Sequence, residues 1–209
     1  MVVNGVNKSV VSFRKTRRIN TSPIIIGITG TPGTGKKSIG KILANYLNYK
    51  FLNLNQIASK SDAIVSVTEN DLEIDPDKLR NQVEKQIVEG NIVLVGHLLP
   101  HVISKDKIKF VVVLRCSPEE LKIRYSARGY SVSKINDNIM SEILDICFVD
   151  ALNAFGADSI VEFDTTGQQP IEIAQEIAKI CRGNPKKTIN KINWMSKISD
   201  EDDIKKYLV

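Results

Sequence analysis

A chain of 209 residues, 42% apolar and 25% charged, can bury the core of one α/β domain and is too short for two full ones. No apolar run approaches a membrane span, and Cys116, Cys147 and Cys181, odd in number and without a C-x-x-C pair, read as reduced residues of a cytoplasmic protein rather than a disulfide frame or zinc site. The net charge of +5 belongs to the ends: residues 1–22 carry +5 without an acid, residues 182–209 carry +3, and residues 23–181 carry −3.

Residues 1–22 read as a basic extension outside the folded unit. Its serines and lack of acids overlap with a transit peptide, but it has no amphipathic period. The folded unit is expected over 23–181. It opens with a β-branched strand, Ile24–Thr29, followed by Gly-Thr-Pro-Gly-Thr-Gly-Lys and a helix over Gly35–Leu47. Gly30, Gly35 and Lys36 meet the first seven positions of G-x-x-x-x-G-K-[ST], a phosphate-binding loop. Glycines let successive backbone N–H groups curl around an anion, the helix N-terminus adds its dipole, and a lysine brings a mobile charge to the outer phosphates. The eighth position departs from the pattern: Lys37 stands there, and the hydroxyl comes one residue later, at Ser38.

A second strand is expected at Lys50–Leu54. The polar, poorly periodic stretch Asn55–Ile74 after it would lie over the ligand side, so that about 53–74 forms an acceptor-binding segment. A helix over Pro76–Val88 leads to the strand Ile92–Val95, which ends at Gly96-His97; an acid expected on such a strand to anchor magnesium is replaced by Val95. Lys109–Leu114 forms the fourth strand. Pro118–Ser126 has a helix start signal, with proline at the first position and acids in the first turn. The basic loop Ala127–Asp137 is a candidate lid, and one long helical pattern covers Lys134–Phe155. Ser159–Phe163 and Pro170–Cys181 complete a β/α alternation that implies a parallel sheet covered on both faces, with ligands at the carboxyl ends of the strands. The remaining tail, 182–209, is Lys/Asn-rich and holds Trp194 among Arg182, Lys186, Lys187, Lys191 and Lys197, a pattern that suits either an RNA strand stacked on the indole or a tryptophan packed back onto the domain.

Phosphoryl transfer needs positive charge around the moving group, an in-line acceptor and exclusion of water. Lys36 supplies one cation. Arg115, at a strand end, is the best placed of the arginines to face a ligand, followed by Arg128 in the lid, with Arg124 weaker; Tyr130 could stack on a base. His97 is placed to orient a water or phosphate, whereas His101 reads as an ordinary surface residue.

The segments GTPGTGKKS, VGHLLPHVI, VVVLRCSPEELKIRYSARGYS and KINDNIMSEILDICFVDAL together resemble the nuclear/archaeal adenylate kinase family (isoenzyme six) over about residues 24–181. FDTTG at 163–167 and Asn193-Trp194 resemble its archaeal members. The resemblance implies a P-loop nucleoside-monophosphate kinase fold, a five-stranded parallel sheet with a short lid, using ATP and Mg²⁺ to phosphorylate AMP or another nucleoside monophosphate. It also implies ATPase activity, a small-subunit ribosomal protein and rRNA as partners, and a part in rRNA maturation. Transferred onto this chain, Gly33, Gly35, Lys36, Lys37, Ser38 and Arg128 would bind ATP, and Lys36, Arg128 and His97 would be catalytic; no protein metal ligand is carried over. The chain departs from the family at Lys37, at Val95 and in the acceptor segment, which offers Lys60 and no arginine. A nucleotide-binding assembly factor with vestigial catalysis is therefore the alternative reading.

Overall fold

The structure, a computed structural model, describes residues 23–67, 72–183, 192–197 and 201–208. The extension expected over 1–22 and the tail residues Lys186, Lys187 and Lys191 lie outside them.

Five strands form a parallel sheet: β1 (Ile25–Thr29), β2 (Lys50–Asn53), β5 (Ile92–Val95), β6 (Phe110–Arg115) and β7 (Ile160–Asp164), in the order β2-β5-β1-β6-β7. The β1 register runs Ile25↔Ile92 to Ile28↔Val95 on one side and Ile26↔Phe110 to Thr29↔Val113 on the other. Every residue of β1, β5 and β6 is buried, which is why these strands read as continuous apolar runs rather than alternating ones. Successive residues serve opposite layers. Ile26, Ile28, Val93, Val95, Val112 and Leu114 pack on α1 (Lys36–Leu47) and α8 (Pro170–Arg182). Ile25, Leu52, Leu94, Val111 and Val113 pack on α3 (Pro76–Gln86), α4 (Leu99–Val102) and α7 (Ile146–Phe155). The fold is thus the five-stranded, doubly covered P-loop architecture expected.

Local signals set the helix starts. Asp75 accepts from the backbone N–H groups of Asp77 and Lys78 to cap α3, with Pro76 at the first position. Ser117 caps α5 (Pro118–Ser126), and Ser131 caps α6 (Val132–Ile143).

Three expectations change. The long helix through Phe155 is two helices, α6 and α7, separated at Asp145, whose φ of 58° reverses the chain. No Gly or Pro marks this break; Asp145 is held there by its ion pair with the buried Arg115. Ser131 starts α6 early, so the connection between α5 and α6 is confined to residues 127–131, and 132–137 of the expected lid loop are helical. The unpatterned stretch after β2 contains α2 (Leu54–Ala58) and an antiparallel hairpin, β3 (Ile64–Val67) with β4 (Leu72–Ile74).

A third apolar cluster lies beyond the carboxyl edge of the sheet: Cys116, Leu121, Tyr125, Ile135, Ile139, Ile143 and Trp194. It joins α5 and α6 to the tail. The last helix, α9 (Glu201–Tyr207), adjoins α5, where Lys122 Nζ donates to the carbonyls of Lys206 and Leu208 at 3.3 and 2.7 Å.

Candidate active site

The turn from β1 into α1 is fixed by close approaches. Gly30 has φ 136°, and a Cβ there would meet the Leu114 carbonyl at 2.2 Å; at Gly33 (φ 91°) it would meet the Tyr125 ring at 2.7 Å. Only glycine fits either place. Side chains then brace the loop from behind. Tyr125 Oη donates to the Pro32 carbonyl, Arg124 to the Gly33 carbonyl at 2.8 Å, and Thr34 Oγ1 to the Thr31 carbonyl at 2.9 Å. Arg124 is therefore a brace of the loop.

Lys36 Nζ lies over the loop, donating to the carbonyls of Gly30 (2.6 Å) and Thr31 (2.8 Å). Burial pulls its pKa from 10.5 to about 8, against the opposing pull of Cys147 and Glu142. The lysine faces a cavity of about 970 Å³, at the upper end for small-molecule sites. The loop wall of this cavity has Gly33, Gly35, Lys36, Lys37 and Ser38; Arg128 and Tyr130 come from the α5–α6 connection. His97, Asn53 and Asn55 come from the carboxyl ends of β5 and β2. The residues carried over from the family resemblance meet in this one cavity, whereas Arg115 and Arg124 do not line it; His101, which sequence reading set aside, does. His97 is pushed down from 6.5 to about 4, by burial first and then by Lys36 and His101, so it is neutral at pH 7. Tyr130 has one ring face taken by Tyr125, stacked at 5.4 Å between centroids, instead of by a base.

Arg115 does not face the cavity. It is 1% exposed and bound at 2.8 Å to Glu142 and 3.0 Å to Glu162, with Asp145 as a third carboxylate partner. Burial alone would lower its pKa, but Glu142 and Asp145 outweigh that and hold it above its usual range. A guanidinium buried at the end of β6 can be charged only if carboxylates surround it, and they leave it nothing to offer a ligand. Lys60 is also elsewhere: it lines a separate pocket of about 170 Å³ with Gln56, Gln82 and Gln86.

Sequence reading passed over Asp137, Asp150 and Cys147, which line the main cavity, and Glu142, which lies behind the loop. Glu142 did leave a signal: it is a charge on the apolar stripe Ile135–Ile139–Ile143 of α6. Among the described residues no group of three or more His, Cys, Asp or Glu could hold a metal. The donors present fit a magnesium ion carried in by nucleotide phosphates and met by the Ser38 hydroxyl, and do not fit an ion held by protein alone.

Residues 26–145 match the AAA domain family. The chain is 37% identical over 178 residues to "Putative adenylate kinase" of Thermococcus kodakarensis, covering 85% of this chain and 96% of that one. To the protein of the same name in Pyrococcus furiosus it is 36% identical, covering 85% and 94%. Among solved structures, shikimate kinase from Acinetobacter baumannii in complex with shikimate superposes with a TM-score of 0.53 at 17% identity, covering 79% of this chain and 97% of that one. That last likeness is one of fold.

Proposed function

This chain belongs to the archaeal family of proteins named "Putative adenylate kinase", P-loop kinases of nucleoside monophosphates, and we propose that it transfers the γ-phosphoryl group of ATP to AMP. The kinase unit is residues 23–181, with 1–22 and 182–209 as basic extensions. A cytoplasmic compartment suits Cys116, Cys147 and Cys181, odd in number and without a C-x-x-C pair. Among the described residues no helix is long and apolar enough to cross a membrane.

The observation that carries the reading is a single cavity joining the Lys36 loop, Arg128 and His97. ATP phosphates would lie on the N–H groups from Gly33 to Ser38. Lys36 would exchange the two carbonyls it now holds for the outer phosphates, so its charge is stored beside the place it is needed. Arg128, exposed on a five-residue connection between capped helices, would approach from the opposite side. His97, neutral at pH 7, would accept or donate one hydrogen bond near the acceptor without adding charge. Magnesium, when bound with the nucleotide, neutralises phosphate charge, and Ser38 is the hydroxyl placed to meet it.

One observation favours a second reading, a nucleotide-dependent assembly factor with weak transfer. The acceptor side of the cavity, Asn53, Asn55, Ile74, Gly96, His97, Leu98 and His101, carries no lysine or arginine to grip a monophosphate. Val95 adds no carboxylate. A ribosomal protein and rRNA would then be the partners, though Trp194 is 3% exposed and its ring is unavailable for stacking on RNA.

Measuring ADP formation from ATP with and without AMP separates these. AMP-dependent ADP is the expected result. AMP-independent ADP makes water the acceptor, and tight ATP binding without turnover favours the assembly factor.

A further inference from the structure

The loop and the tail meet at one carboxylate. Glu142 is 1% exposed and accepts four hydrogen bonds. Its Oε2 receives the Thr31 hydroxyl at 2.5 Å. Its Oε1 receives Arg115 Nε at 2.8 Å, the Cys116 backbone N–H at 3.1 Å and the Trp194 indole N–H at 3.0 Å. Three donors crowd Oε1 and Thr31 holds Oε2, and burial keeps both oxygens from a substrate. Its contact with the loop is through Thr31.

Thr31 is the loop residue at which these contacts converge. Its carbonyl holds both Lys36 Nζ and Thr34 Oγ1, while its side chain is tied to Glu142. The orientation of the Thr31 peptide thus depends on a hydrogen-bonded path running through Glu142 to Trp194, 163 positions along the chain. The indole also fills the apolar cluster under α5 and α6, the two helices flanking Arg128.

We propose that Glu142 is a positioning residue for the phosphate-binding loop, and that Trp194 sets Glu142 in place, so the tail beyond the sheet tunes nucleotide affinity. This rests on the loop binding nucleotide phosphate. Trp194 does not line the cavity; it acts through Glu142 and Thr31. A merely structural tryptophan would change stability and leave affinity alone.

A double-mutant cycle on the full chain decides, with ADP as the probe, calorimetric affinity as one readout and thermal melting as the other. Thr31→Val should weaken ADP about tenfold, the scale of one hydrogen bond to a charged group, and Thr31→Ser should restore it. Trp194→Phe keeps most of the ring and loses the N–H; it should weaken ADP several-fold. The double variant should bind ADP no more weakly than Thr31→Val alone. Wild-type ADP affinity in Trp194→Phe, with or without a lower melting temperature, overturns the proposal, as do singles that multiply in the double. Should Trp194→Phe not fold, Glu142→Gln takes its place in the same cycle. No ADP binding by the wild-type chain would instead bring down the nucleotide reading, and this proposal with it.

Discussion

Lys36 opens the helix that follows β1, Arg115 ends the neighbouring strand β6, and the structure uses these two cations in opposite ways. Arg115 is locked by three carboxylates; Lys36 has only carbonyls, which it can release. The difference predicts a pH dependence. Burial lowers the Lys36 pKa to about 8, and only the charged form attracts phosphate. Above pH 8 the lysine of the free protein is increasingly neutral, so the apparent Kd for ATP should rise by up to about tenfold per pH unit, where an ordinary lysine would hold affinity to about pH 10. Below pH 8 the lysine contribution should be flat. Calorimetric titration of ATP from pH 6.5 to 9.5 checks this, and Lys36→Ala should bind weakly, lose transfer and show no such rise. An unchanged wild-type Kd at pH 9.5 would mean that the buried lysine keeps its proton.

At the scale of elements, two of the departures from the family resemblance, Val95 and Lys37, lie on β5 and α1. Val95 is 1% exposed, and a Cβ on Gly40 of α1 would lie 2.5 Å from its Cγ1, so strand and helix are in close contact there. Introducing Val95→Asp together with Lys37→Thr supplies a carboxylate and a hydroxyl near the phosphates. We expect faster transfer and a steeper Mg²⁺ dependence, with a lower melting temperature in the absence of Mg²⁺ and ATP, because a buried unpaired carboxylate is costly. A steady-state Mg²⁺ titration and a melting curve measure both; an unchanged rate would mean the site was never short of a metal anchor. β1, β5 and β6 were legible in the sequence as short apolar runs between turn residues, and β2 and β7 as strand-like stretches that also hold charged residues. The α6–α7 break was not, because Asp145 owes its left-handed conformation to Arg115, 30 positions away, rather than to its neighbours. The same distance effect hid the role of Arg115: a strand end faces the ligand side, but the rule does not say which strand ends are capped by carboxylates from other elements. The loop was marked by its glycine and lysine spacing and Arg128 and His97 by the family resemblance, and the three share one cavity.

At the scale of the whole molecule, the tail closes the fold over the carboxyl edge of the sheet. Trp194 fills the third apolar cluster, Lys197 Nζ lies 4.4 Å from its ring centroid, and the end of α9 accepts from Lys122 on α5. Basic residues around a tryptophan suit an RNA platform or an indole packed back onto the domain; burial of the indole makes it the second. Ending the chain after Gly183 removes the indole and α9 together. Loss of a buried tryptophan costs about 3–5 kcal/mol, a large share of the roughly 5–15 kcal/mol that holds a domain folded. The truncated protein should therefore melt well below the full chain, with Arg115, Glu142 and Cys116 newly open to water at the tail side. Thermal unfolding of the two proteins, followed by near-ultraviolet dichroism, is the direct check. Equal melting temperatures would show that the cluster under α5 and α6 holds without the tail, and would return the basic C-terminus to the role of a surface available for RNA.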